Sequence, residues 1–124
     1  MNGKDSVVVD TNVLINLSKG LQSAEEALEG KEVFLSVITC IELLSRPEGD
    51  AAYLQWVNSA IDQSTVVELI PSVTRMAISI RKHRRLKLPD AIIAATAAVF
   101  DMPLITYDEG FKKISEANVM WLQS

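Results

Sequence analysis

The chain has 124 residues and a formal net charge of −4, with 48% hydrophobic and 23% charged residues. That is the balance of one soluble globular domain, long enough to remove roughly two-thirds of its unfolded surface from water. A single cysteine excludes an internal disulfide framework and a multi-cysteine zinc site, the most apolar run (Ala91 to Phe100) is too short to span a bilayer, and the acidic balance argues against a domain that coats nucleic acid by charge alone.

Ser6 to Val9 is a short β-branched run that predicts a buried strand, ended by Asp10. A helix follows over Thr11 to Lys19 and stops at Gly20; a second is expected from Ser23, acting as its cap, to Gly30. Val33 to Leu35 reads as the second strand. Val37 to Leu44 reads as a helix with Val37, Ile41 and Leu44 on one face, ended by Pro47 and Gly49. Asp50 to Gln63 is an amphipathic helix with Tyr53, Leu54, Val57, Ala60 and Ile61 in one stripe. Thr65 to Val67 is the third strand. A helix then opens at Pro71 or Ser72 and runs to about Arg85, with Val73, Met76, Ala77 and Ile80 inward. Pro89 suits the first position of a helix reaching Phe100, which is apolar nearly all round and so central. Leu104 to Thr106 and Val119 to Leu122 are the last strands, with a short helix capped by Asp108 between them. The N-terminal residues Met1 to Asp5 lack the apolar run of a secretion signal. The expectation is one domain over residues 1–124, free of membrane, in a reducing cytoplasmic setting.

Strands alternating with helices, most of them unbroken apolar runs, predict a parallel sheet covered on both faces. In such sheets chemistry gathers beyond the carboxyl ends of the strands. Asp10 and Asp108 stand there, Asp90 opens the central helix, and Glu42 lies on the helix after the second strand. Taken singly, Asp10 and Asp108 are also good helix caps, Asp90 complements a helix dipole, and Glu42 suits a solvated face. Taken together they present a conflict, because two carboxylates about 4 Å apart repel by roughly 4 kcal/mol at an effective dielectric near 20. A divalent cation removes it. Oxygen ligands without a His or Cys cluster select Mg²⁺ or Mn²⁺, whose chemistry is that of phosphoryl groups.

The segments around these acids carry a resemblance. Val8-Val9-Asp10-Thr11-Asn12-Val13-Leu14, Ser36-Val37-Ile38-Thr39-Cys40-Ile41-Glu42-Leu43, Leu88-Pro89-Asp90-Ala91-Ile92-Ile93-Ala94-Ala95 and Leu104-Ile105-Thr106-Tyr107-Asp108-Glu109-Gly110-Phe111 are similar, in order and spacing, to the four motifs of PIN-domain nucleases. The chain most resembles their small VapC-like toxin members. The resemblance implies a three-layer α/β/α sandwich around a central five-stranded parallel sheet. It implies a Mg²⁺- or Mn²⁺-dependent endoribonuclease acting on single-stranded RNA. Asp10, Asp90 and Asp108 would be metal ligands, Glu42 would orient metal-bound water, and Thr11, Asn12 and Thr106 would be polar supports. Homodimerisation and inhibition by a cognate antitoxin are further expectations of the resemblance. Glu109 adjoins Asp108, and the Thr-x-Asp spacing from Thr106 favours Asp108 as the fourth acid.

Arg81, Lys82, Arg84, Arg85 and Lys87 hold five of the twelve basic residues, so the rest of the chain carries −9. They read either as a solvated helix end or as a phosphate clamp beside Asp90. His83 stands among cations, which disfavours it as a base. Cys40 has one histidine in the whole chain to activate it, which disfavours it as a nucleophile. Trp56 marks either a core edge or a partner surface. Three other readings compete. An RNA-processing PIN enzyme or an RNA-binding PIN-like scaffold outside a toxin pair would share the motifs. A receiver-like phosphoacceptor module would share the βα alternation, yet Asp10 lacks an acidic neighbour and Pro103 follows Met102 rather than lysine.

Overall fold

A computed structural model describes residues 5–123. Met1 to Lys4, on which most of the leader reading rests, and Ser124 lie outside the described residues. Strands β1 (Ser6–Val9), β2 (Glu32–Ser36), β3 (Thr65–Val67), β4 (Leu104–Thr106) and β5 (Val119–Trp121) form one all-parallel sheet in the order β3-β2-β1-β4-β5. The chain builds outward from β1 to β3, then crosses back over β1 to lay down β4 and β5. The order therefore reverses between β1 and β4, and the crevice beyond their carboxyl ends is the natural place for a site.

Because successive strand side chains point to opposite faces, the sheet divides the core in two. Val7 and Val9 of β1 and Ile105 of β4 pack with Val13, Leu14, Cys40, Leu43 and Val57, under helices α1 (Thr11–Ser18), α2 (Gln22–Leu28), α3 (Val37–Leu44) and α4 (Ala51–Asp62). Val8 and Leu104 pack on the other face with α5 (Pro71–His83) and α6 (Leu88–Phe100). Ala91 to Ala97 of α6 are all buried, as its nearly all-apolar sequence requires, and the one hydroxyl among them, that of Thr96, donates to the Ile92 carbonyl. Its small side chains let the backbone approach the sheet closely. Asp101 ends α6 in the left-handed conformation at φ 52°, and Pro103 leads straight into β4. Among the described residues no helix is long and apolar enough to cross a membrane.

Four local expectations change. Ser23 does not cap α2: Leu21 precedes the first turn, and the Ser23 hydroxyl instead meets the Tyr107 hydroxyl at 2.6 Å, tying α2 to the end of β4. Pro89 takes the second rather than the first position of α6, because Leu88 already has helical geometry. The turn after Asp108 is a 3₁₀ helix over Glu109–Lys113. The most consequential change is in α3. Ile41 and Leu44 are 55% and 42% exposed, and the buried face carries Thr39, Cys40 and Leu43. The stripe chosen by hydrophobicity faces out, while a threonine faces in to meet the site.

Candidate active site at the sheet crevice

Asp10 leaves β1 and becomes the N-cap of α1. One carboxylate oxygen accepts the Thr11 backbone N–H at 2.8 Å, and the other accepts the Thr106 hydroxyl at 2.7 Å. Thr106, the last residue of β4, in turn accepts the backbone N–H of Asp108 at 2.9 Å. One buried hydroxyl thus bridges two acids that lie 98 positions apart in the chain. Asp108 caps the 3₁₀ turn through the Gly110 N–H at 2.7 Å, and its carbonyl accepts the indole N–H of Trp121 at 3.0 Å. The capping reading and the site reading of these two acids hold together, since capping occupies one oxygen of each.

Glu42 arrives from the other side. Its Oε1 accepts the Thr11 hydroxyl at 2.6 Å, and that hydroxyl also lies 3.4 Å from the hydroxyl of fully buried Thr39. Thr39 comes to this place only because α3 turns its less hydrophobic face inward. Asp90 stands in the first turn of α6, whose N-cap position belongs to Lys87. All four acids, with Thr11, Asn12, Ser45, Arg46 and Glu48, line one hollow of about 500 Å³. Glu109 is exposed, paired with Lys112 at 2.6 Å, and outside this hollow. Of the two neighbours, Asp108 is the one that lines the hollow.

The electrostatics report crowding. Asp10 is 4% exposed, and burial pushes its pKa up to about 6. The charges of Asp90 and Asp108 push the same way against the hydrogen bonds from Thr106 and Thr11. Asp90 is raised by burial and by Asp108 and Glu42, opposed by Lys87. Among the described residues no three acid, His or Cys side chains are drawn together as a ready-made cation cage. The donor chemistry nonetheless fits Mg²⁺ or Mn²⁺. Such an ion keeps several waters and is commonly held by one or two protein carboxylates plus substrate phosphates.

None of Arg81, Lys82, Arg84, Arg85 and Lys87 lines the acid hollow. Arg81 donates to the Leu86 carbonyl at 3.0 Å, and with Lys82 it borders a different, apolar hollow. Arg84 reaches Ser115 at 2.9 Å and Glu116 at 3.4 Å, and the Arg85 carbonyl accepts Lys113. Lys87 is the member of the run whose charge reaches an acid of the site. The cation that does line the hollow, Arg46, was not singled out from the sequence. Helical spacing gave no signal for it, because α3 ends at Leu44 and Arg46 lies in the turn that follows. Burial pushes the Cys40 thiol up, as expected of a structural cysteine.

An all-parallel sheet covered by helices on both faces, with four carboxylates lining the crevice at its switch point, defines a doubly wound α/β protein. The profile of the PIN domain matches residues 7–117, and the chain belongs to the PIN-domain family. PIN domains are nucleases, hydrolases of phosphodiester bonds. Among solved structures the chain is similar to one in a toxin–antitoxin complex from Klebsiella pneumoniae, with 30% identity, TM-score 0.80, and 92% and 95% of the two chains covered. It is also similar to VapBC-5, a member of the VapBC toxin–antitoxin family from Mycobacterium tuberculosis, with 29% identity, TM-score 0.72, and 94% and 98% covered. VapBC2 from Rickettsia felis, bound to a DNA fragment from its promoter, shares the fold at 17% identity, TM-score 0.83, with 95% and 99% covered. Curated proteins yield no match.

Proposed function

We propose that this chain is a Mg²⁺- or Mn²⁺-dependent endoribonuclease that cuts single-stranded regions of RNA, acting as the toxin of a toxin–antitoxin pair. The observation that carries the reading is the convergence of Asp10, Glu42, Asp90 and Asp108 on one hollow, with Asp10 buried among like charges. Asp10 and Asp90 would be the principal holders of the ion, and Asp108 would hold ion or attacking water. The cation, when bound, activates that water and stabilises charge on the phosphate. Thr11 fixes the Glu42 carboxylate for orienting the water, and Thr106 keeps Asp10 and Asp108 in register. Asn12 lines the hollow beside them. The test is cleavage of end-labelled RNA by the purified, inhibitor-free protein. Cleavage is expected with Mg²⁺ or Mn²⁺ and none in excess chelator; cleavage that survives chelation overturns the metal mechanism.

Two protein partners belong to the same reading. A hollow of about 650 Å³ lined by Leu14, Leu17, Leu28 and Trp56 continues at Trp56 into a neighbouring one, which shares Arg46 and Glu48 with the acid hollow. This track, which mixes these apolar side chains with polar ones such as Lys31, Ser59 and Gln63, runs toward the acids and suits an amphipathic segment of the cognate antitoxin. That solved structures similar to this chain are toxin–antitoxin complexes supports that occupant. The other partner is a second copy of this chain. Leu69, Ile78 and Leu88, 48%, 51% and 55% exposed, border a single apolar hollow of about 570 Å³ on α5 and α6. A contiguous exposed apolar patch marks an interaction surface. Ile78→Glu is expected to convert a dimer to a monomer in sedimentation analysis; a wild-type monomer refutes the assignment.

A further inference from the structure

We propose that Arg46 is a substrate-contacting residue that binds a phosphate of the RNA backbone next to the scissile one, and that Glu48 occupies its guanidinium until RNA arrives. The inference rests on the reading of the chain as an RNA nuclease. Among the residues lining the acid hollow, Arg46 is the one cation, set against five carboxylates including Glu48. A polyanion entering such a hollow meets net repulsion that a bound cation offsets only in part, so a fixed positive group at its rim has a definite use.

The loop is built to present that group. Arg46 lies over the ring of Tyr53, 5.4 Å from its centroid, and the Tyr53 hydroxyl is anchored on the Leu43 carbonyl at 2.9 Å. Gly49 makes the stack possible: a Cβ there would stand 2.7 Å from Tyr53 Cδ2. The ring therefore packs on bare backbone beneath the guanidinium. The guanidinium donates Nε–H and Nη2–H to one oxygen of Glu48, at 3.1 and 2.9 Å. Glu48 is 65% exposed, and an ion pair so open to water contributes little stability. A phosphate, which takes the guanidinium fork with two oxygens, can replace it at small cost.

The test is binding of end-labelled single-stranded RNA, followed by anisotropy across a salt series, in an Asp90→Asn background with Mg²⁺ so that no cleavage intervenes. Arg46→Gln is expected to weaken binding about tenfold, the scale of one charge-assisted contact. It should also make the log–log salt dependence shallower by about 0.7, the value for one phosphate on a single strand. Arg46→Lys should fall between, keeping charge but losing the fork. Lys31→Gln, with the same charge change away from the acid hollow, should leave both readings near the parent. Glu48→Gln should tighten binding only when Arg46 is present. A parent that fails to bind RNA overturns the nuclease reading together with this one. A parent that binds, with slope and affinity unmoved by Arg46→Gln, overturns this inference alone. Equal tightening by Glu48→Gln with and without Arg46 overturns the exchange.

Discussion

Asp90→Asn is expected to lower the proposed metal-dependent RNA cleavage by at least about 10³-fold while the far-ultraviolet circular dichroism spectrum stays that of the parent. The size follows from the several kcal/mol that a metal ion contributes at a phosphoryl transition state, at about 1.4 kcal/mol per factor of ten. Asn keeps the shape of the side chain and removes its charge. Structural damage is small because Asp90 caps nothing: Lys87 holds the N-cap position of α6, and the buried seven residues Ala91 to Ala97 hold the helix to the sheet. Burial and the charges of Asp108 and Glu42 already oppose ionisation of Asp90, so the fold gains nothing from this charge without a cation. Turnover equal to that of the parent would remove the carboxylates from the reaction.

Asp10→Asn acts in the opposite sense on stability. In metal-free protein it is expected to raise the unfolding free energy by about 2 kcal/mol at pH 8. Asp10 has a pKa of about 6 in the folded chain against 3.8 as its ordinary value. Between those values the folded state keeps a proton that the unfolded state has lost. Stability therefore falls as pH rises through this window and levels off above it. The gap converts to about 3 kcal/mol of destabilisation at pH 8. Asn can still accept the Thr11 N–H, but the Thr106 hydroxyl loses its carboxylate acceptor, a cost of roughly 1 kcal/mol. Urea denaturation in chelator at pH 5 and pH 8 checks this. The parent should be the less stable at pH 8, the variant should lose less than the parent over that range because only Asp90 still resists ionisation, and Mg²⁺ should stabilise the parent more than the variant. A parent that gains stability between pH 5 and 8 contradicts the assignment of Asp10 as a carboxylate held against burial.

The same carboxylate links the two expectations. Burial at the crevice makes Asp10 costly to ionise and a strong potential ligand once a cation arrives. Its partners are arranged to keep it there: a strand-end threonine on one oxygen and a helix N-terminus on the other. Thr11 repeats the device for Glu42, so α1 serves two acids at once, Asp10 through its backbone and Glu42 through its first side chain.

Much of this was legible in the chain itself. Short, mostly unbroken apolar runs located all five strands, and the nearly all-apolar stretch from Ala91 to Ala97 marked the helix that packs centrally. Asp10 and Asp108 fall at strand ends by local sequence, so the rule for parallel sheets places them on one edge before any coordinates are known. What local sequence did not hold was which face of a short helix turns inward. Ile41 and Leu44 are the more hydrophobic choice for α3, yet Thr39, Cys40 and Leu43 are buried, because the inward face must fit the crevice and meet Thr11. Nor did it hold where the cations go. A run of five basic residues read equally as a solvated helix end or as a clamp. The tertiary structure ties Arg84 to Glu116 and places Arg81 beside an apolar hollow, while a lone arginine on a Tyr53 stack reaches the acids. Hydrophobic period and strand ends are properties of neighbours along the chain, and sequence determines them. The partner of a long charged side chain depends on which distant elements the folded sheet brings within reach, and only the tertiary structure decides that.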